Sequence, residues 1–354
     1  MSAPQRILLI RPSALGDVCR SVGVLAALKQ RFPDAEIDWL VQDSFVQAIR
    51  HHPALHQPIP FPRKKFGAEC RKGRFGPVLA WLRQLKKTRY ELVLDAQGLA
   101  RSGFFAWSTR APRRVGYRDA QEAAWIFLNE RVEAPRTLHT VDRMMRLAAH
   151  AGADISKPDL RLYADPDKLS QVIIEHPDRY AVIAPTSRWA GKAWPIERFA
   201  ALTKRLVDHP QLDRLIIVGG PGERLGCAPL LEYAQDHPRI TDRVGSTSIA
   251  QLMALIARSR LVVANDSAAL HMGVGFNRPL VALFGPTVPA LVGPYGRETD
   301  VIRHTRDDDD FDFKDSASAA MMDRIGVDEV FEACDARLQA PTMSANEKTG
   351  PRAG

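Results

Sequence analysis

A chain of 354 residues is too long for one ordinary hydrophobic core and fits two domains. Apolar residues make up 45% and charged residues 25%, the mix of a folded globular protein, and no apolar run approaches the roughly eighteen residues of a membrane-spanning helix. The net charge of +8 is uneven: residues 1–160 carry 26 Lys and Arg against 15 Asp and Glu, so the whole basic excess lies in the first half. Such a field suits an anionic partner, whether a nucleic acid, a phosphorylated glycolipid or an acidic membrane surface.

The N-terminus runs from Met1 to Arg6 directly into the apolar Ile7–Ile10, without the longer apolar region and cleavage site of a secretory signal, so a cytoplasmic protein is expected. Cys19, Cys70, Cys227 and Cys334 are scattered without metal-ligand spacing and read as free thiols. The run Ile7–Ile10 predicts a first strand. It passes through the loop Arg11-Pro12-Ser13-Ala14-Leu15-Gly16-Asp17 into a helix with Val18, Val22, Leu25 and Leu28 on one face. Strands are expected at 37–41 and 92–95, the latter ending in Ala96-Gln97-Gly98. Between them, the segment from Pro58 to Gly76 is rich in proline, glycine and cations and predicts a long irregular loop. A hinge-like stretch from Lys157 to Pro166 precedes a second series of strands at 180–184, 214–218, 261–264 and 280–284, with helices at 195–207 and 248–257. Ser248 is a candidate cap of the second helix. Apolar strands alternating with helices indicate parallel βαβ units. The expected architecture is α/β, with two doubly wound units, residues 1–162 and 163–339, facing across a cleft, and residues 340–354 disordered. The acidic run from Asp307 to Asp310 reads as a solvated loop rather than a metal site.

In the second half, strands end in short polar loops that open helices: Pro185-Thr186-Ser187, Gly219 to Glu223, and Asn265-Asp266-Ser267. Backbone N–H groups and the positive helix end make such a loop an anion site, and Lys192 adds a charge suited to phosphate. Asp and Ser also cap helices with no further role, so each loop alone leaves both readings open. Asp17 is equally ambiguous. It is either a helix cap or a general base facing the cleft.

In order and spacing, Leu8 to Asp17, Asp95 to Ser102, Pro185 to Arg188, Lys192 to Pro195, Asn265 to His271 and Phe284 to Thr287 resemble the lipopolysaccharide heptosyltransferases of glycosyltransferase family 9, over residues 5–335. Asp95-Ala96-Gln97-Gly98-Leu99 and His139-Thr140-Val141-Asp142-Arg143 are closer to the heptosyltransferase I branch. The resemblance implies a GT-B fold, an acceptor-binding N-terminal domain and a donor-binding C-terminal one. It also implies inverting transfer from ADP-heptose without an essential metal or cofactor. The absence of an Asp-X-Asp at a strand end agrees with that. Carried over, Asp17 aligns with the family's catalytic base, and Thr186, Ser187 and Lys192 with its diphosphate contacts. Lys192 would also stabilise the leaving group. Glu223 aligns with a ribose contact, and Asp266, Ser267 and Ala268 with the sugar–diphosphate loop, with His271 one turn on. Two departures stand out: Ala268 occupies a usual glycine position, and Thr247 falls where a methionine meets the adenine.

On this reading, Ser13, Gln97, Arg63, Lys64, Lys65, Arg101, Arg113 and Arg114 serve an anionic Kdo-bearing lipid A acceptor at the inner membrane surface. Arg71, Lys72 and Arg74 belong to the same basic cluster. A different sugar nucleotide or a GT-B epimerase is the second reading. A basic nucleic-acid-binding protein is the third. No nucleic-acid motif supports the third, and the aromatics do not interleave with the cations.

Overall fold

The computed structural model describes residues 3–340 except 308, 310, 311, 313 and 315, with the side chains of 316–318 also left undescribed. The expected disorder of the tail therefore falls outside the described residues from 341 onward. Two six-stranded, wholly parallel sheets form the framework. The first runs β1 (Arg6–Ile10), α1 (Leu15–Arg20), α2 (Val22–Arg31), β2 (Glu36–Gln42), β3 (Gln57–Phe61), α3 (Arg63–Arg71), α4 (Gly76–Lys87), β4 (Leu92–Asp95), α5 (Ala100–Ser108), β5 (Arg113–Tyr117), β6 (Glu130–Val132) and α6 (Thr140–His150). The second begins with α7 (Pro166–Glu175), β7 (Tyr180–Ala184), α8 (Ile196–Leu206), β8 (Arg214–Gly219), α9 (Ala228–Gln235), β9 (Ile240–Val244) and α10 (Ile249–Arg258). It ends with β10 (Leu261–Asn265), α11 (Ala268–Gly275), β11 (Leu280–Leu283), α12 (Pro289–Val292), β12 (Val301–Ile302) and α13 (Val327–Gln339).

The strand orders β3-β2-β1-β4-β5-β6 and β12-β11-β10-β7-β8-β9 are the same doubly wound topology repeated. Order reverses between β1 and β4 in one sheet and between β7 and β10 in the other. Ligands bind beyond the carboxyl ends of strands at such switch points. Both sheets are covered on both faces, so their central strands are apolar throughout. In β1, Ile7 and Leu9 face α1, α2 and α6, with Leu25, Leu28 and Met144, while Leu8 and Ile10 face Phe61, Phe66, Leu85 and Phe105 on the other side. In β7, Val182 shares a core with Met253 and Leu270, and Ile183 with Phe199 and Leu338.

Two expectations need correcting. The segment from Pro58 to Gly76 is not an irregular loop but forms β3, α3 and the start of α4. Pro58 and Pro60 fit β3 because it is an edge strand, pairing with β2 alone, where a missing N–H costs little. Phe66 then anchors α3 in an aromatic cluster with Phe61 and Trp81. The acidic run is not simply solvated either, since the Asp309 carboxylate, 6% exposed, pairs with Arg324. Asp308 and Asp310 lie outside the described residues. Ser248 does cap α10, accepting from the Gln251 N–H at 3.2 Å. All four cysteines are free.

Candidate active site

The loop after β1 and the loop after β4 meet at the first switch point. The Ser13 N–H donates to Gln97 Oε1 at 3.3 Å, and Arg11 donates to the Ala96 carbonyl. Asp17 is not the cap of α1. It sits in the first turn, three residues beyond Ala14, whose N–H it accepts at 3.2 Å. Its carboxylate is flanked by two guanidiniums, Arg11 at 2.9 Å and Arg20. Burial pushes the Asp17 pKa upward, but Arg11, Arg20 and the Ala14 N–H outweigh it and hold the carboxyl well below the usual range.

These residues line a cavity of about 330 Å³ together with Gln97, Tyr117, Arg136, Thr140 and Arg143. Arg136 and Arg143 share one carboxylate, Asp119, as Arg11 and Arg20 share Asp17. Four guanidiniums thus face two carboxylates, and the cavity carries a surplus of positive charge suited to an anion.

Of the cations proposed for the acceptor, none is among the residues lining this cavity. Arg113 stands at the amino end of β5, away from the cleft, and forks onto Glu130 at 2.7 and 2.9 Å. Arg114, next to it, donates to the carbonyls of Ala111 and Phe127. Arg63, Lys64 and Lys65 are exposed at the start of α3, on the far edge of the sheet. Arg101 lies over the Phe61 ring at 5.8 Å. Basic content drew attention to the Pro58–Gly76 segment, whereas the cavity cations come from the loops after β1 and β6, the last turn of α1 and the first turn of α6. The pairing of Arg20 three residues after Asp17 was the available signal.

The second switch point gathers the loops after β7, β10 and β11. Lys192 Nζ pairs with Asp266 Oδ2 at 2.7 Å, and the Thr287 hydroxyl donates to the same oxygen at 3.0 Å. The Ser187 hydroxyl lies 3.4 Å from the Asp266 carbonyl. Asn265, fully buried at the end of β10, ties this arrangement together: its amide donates to the Pro185 carbonyl at 2.7 Å and its oxygen accepts the Trp194 N–H at 3.1 Å. The sequence reading put Asn265 in the polar loop and not among the site residues, whereas it closes β10 and braces the neighbouring loops. Ser267 is the N-cap of α11, and its buried hydroxyl makes no hydrogen bond within the protein. Ala268 opens α11 directly behind it. Thr186 and Glu223 converge on Gly219, where any side chain would meet both. Thr247 lies apart, lining a small crevice with His176, Arg243 and Gln251.

His271 stands between the two charged sets, within electrostatic reach of Asp17, Arg20 and Lys192. Burial, reinforced by Arg20, lowers its pKa well below the usual value. It packs so closely on α1 that a Cβ at Gly16 would come within 2.9 Å of its ring. The halves are also tied at the segment around α12: Thr140 donates to the Leu291 carbonyl at 2.9 Å, and Tyr295 to Asp142 at 2.6 Å.

Two doubly wound domains facing one another across a cleft make a GT-B fold. The chain belongs to glycosyltransferase family 9 (heptosyltransferase), whose family model matches residues 78–320. It is similar to the lipopolysaccharide core heptosyltransferase OpsX of Haemophilus influenzae, 26% identical over 85% of this chain and 84% of that one. Lipopolysaccharide heptosyltransferase 1 of Escherichia coli is 28% identical over 85% of this chain and 94% of its own length. In fold, it is similar to the solved structure of E. coli ADP-heptose LPS heptosyltransferase II, with a TM-score of 0.78 at 23% identity, covering 94% of this chain and 98% of that one.

Proposed function

We propose that the protein transfers heptose from ADP-heptose to the Kdo-bearing inner core of a lipid A acceptor, with inversion and without an essential metal. The acceptor binds residues 1–162 and the donor residues 163–339, at the cytoplasmic face of the inner membrane. The observation that carries this reading is the arginine-lined cavity around Asp17, set across the cleft from the Lys192–Asp266 loops. The names of the relatives supply the sugar and the pathway.

In the reaction, an acceptor hydroxyl in the cavity attacks the anomeric carbon of the donor. The bond from that carbon to the diphosphate oxygen breaks, ADP leaves, and the hydroxyl proton passes to Asp17. With its pKa held low, Asp17 is ionised throughout the physiological range but weakly basic. Acidic groups of the acceptor would draw Arg11 and Arg20 away from it and raise its basicity where the proton is released. Across the cleft, Lys192 turns from Asp266 toward the diphosphate, the free Ser267 hydroxyl supplies a donor, and the α11 N-terminus faces the developing charge. Thr186 and Ser187 would meet the diphosphate beside Lys192, and Glu223 the ribose of the nucleoside.

Incubating the protein with ADP-heptose and Kdo-bearing lipid A in EDTA tests this. The reading predicts a product heavier by one heptose with inverted anomeric configuration by NMR. No product, retention of configuration, or preference for another sugar nucleotide would contradict it.

A further inference from the structure

The segment from residue 62 to 87 carries nine Lys and Arg against the single acid Glu69, a net of +8 equal to that of the entire chain. All nine cations are exposed. Among the described residues, none of the nine forms an ion pair with a carboxylate. Phe75 and Leu79 stand among them, 56% and 47% exposed.

These two side chains share one face of α4. They lie four residues apart, and Arg83 continues the same line one turn further on. The opposite face of the helix does the packing: Leu85 is buried, and Trp81 joins Phe61, Phe66 and Phe105. Phe75 and Leu79 therefore do no core work. Topology sets where they sit. Strand β3 ends at the cleft edge of its sheet and β4 starts at the opposite edge, so α4 makes the return, with its amino end toward the cleft. That puts the apolar pair at the same end of the domain as the acceptor cavity.

From this we infer that the α3–α4 face docks onto an anionic lipid bilayer, with Phe75 and Leu79 entering the interface and the surrounding cations meeting lipid phosphates. Exposed apolar side chains inside a strongly basic rim are what an interfacial surface requires, each part supplying what the other lacks. A nucleic acid would use the charge but leave Leu79 without a partner, since an aliphatic side chain offers no stacking surface. The inference deepens the proposed function, because it turns the cleft toward the layer in which a glycolipid acceptor resides.

The test uses the full chain and vesicles containing no acceptor: pure phosphatidylcholine, and phosphatidylcholine with phosphatidylglycerol. Sedimentation should bring the protein down with the anionic vesicles only, and added salt should release it. Phe75→Ser with Leu79→Ser should weaken vesicle binding by about tenfold, as should Arg71→Glu with Arg74→Glu. Transfer to a soluble, deacylated acceptor should be unchanged in the Phe75→Ser, Leu79→Ser protein. Circular dichroism confirms that each variant is folded. Equal binding to both vesicle types, no binding to either, or binding by folded variants at wild-type strength would overturn the inference. So would a preference for duplex DNA over anionic vesicles. Because vesicle binding is read without donor or acceptor, it stands or fails independently of the reaction assigned to the cleft.

Discussion

Arg20 and Val292 come from opposite halves of the chain, yet Nη1 of the arginine donates to the valine carbonyl at 2.8 Å. The other terminal nitrogen of the same guanidinium, Nη2, pairs with Asp17. One side chain thus holds the domains together and sets the charge environment of the proposed base.

Arg20→Met should act on both. Losing a charge-assisted contact at a largely buried site should cost about 1.5–3 kcal/mol of stability near neutral pH. The sign against pH follows from Asp17. Its folded pKa is depressed, so its contribution is present above the unfolded value of about 3.9 and is lost as pH falls through the folded value. Removing Arg20 raises the folded value, so the acid loss in melting temperature should become shallower. The acid limb of kcat should move to higher pH. An unchanged acid limb would separate Arg20 from Asp17 in function.

Lys192→Ala should weaken ADP binding. Lys192 is the cation paired with Asp266 in these loops, and without it Asp266 would face the diphosphate as a bare negative charge. A loss on the order of 1.5–3 kcal/mol corresponds to roughly ten- to 150-fold in Kd, readable by calorimetry. Wild-type ADP affinity would remove Lys192 from the site.

Gly16→Ala probes the contact between the domains. The added methyl would sit 2.9 Å from the His271 ring, closer than real Cβ contacts allow. Overpacking of this kind typically costs about 1–3 kcal/mol. Melting temperature and turnover should both fall. A second change, His271→Ala, should restore stability to the Gly16→Ala protein more than it affects the wild type. Additive effects in that cycle would mean the two residues do not meet.

Much of this arrangement was legible in the sequence, and the boundary of what was legible is physical. The central strands β1, β7, β10 and β11 are continuous apolar runs because both faces of each sheet are covered, so they stand out from any background. Outer strands do not. In the edge strand β3 the prolines mask a short pairing that β2 alone makes favourable, and in β5, held between β4 and β6, the arginines break the apolar run. The loops at the switch points were readable for the same reason as the central strands, since each ends an apolar run. The cavity cations were not, because Arg136 and Arg143 reach Asp119 from about 20 residues away, through a tertiary arrangement with no local periodicity.

Asp95 gives a prediction about stability alone. Burial raises its pKa to about 6, against the N–H groups of Gly98 and Gln97 and the Ser102 hydroxyl, which all favour the charged form. A folded pKa above the unfolded one means that the folded state holds the proton more tightly. The associated stability is fully present below about pH 3.9 and is lost as pH rises through 6. Asp95→Asn keeps an acceptor for the two N–H groups and removes the titration. The wild-type melting temperature should therefore decline relative to Asp95→Asn between pH 4 and 6. Parallel profiles would mean that Asp95 titrates normally.

The most direct test of the central claim is the turnover of Asp17→Asn on ADP-heptose and Kdo-bearing lipid A. Asparagine keeps the shape and can still accept the Ala14 N–H, but it cannot take the acceptor proton. It also leaves Arg11 and Arg20 without their shared carboxylate, so a lower melting temperature is expected and the assay must be run well below it. Folded protein should bind ADP with wild-type affinity, because the proposed donor contacts lie in the other half. A general base contributes about 10²–10⁴-fold, so kcat should fall by at least the lower figure. A folded, ADP-binding Asp17→Asn enzyme that turns over within about tenfold of wild type would contradict the assignment of Asp17 as the base.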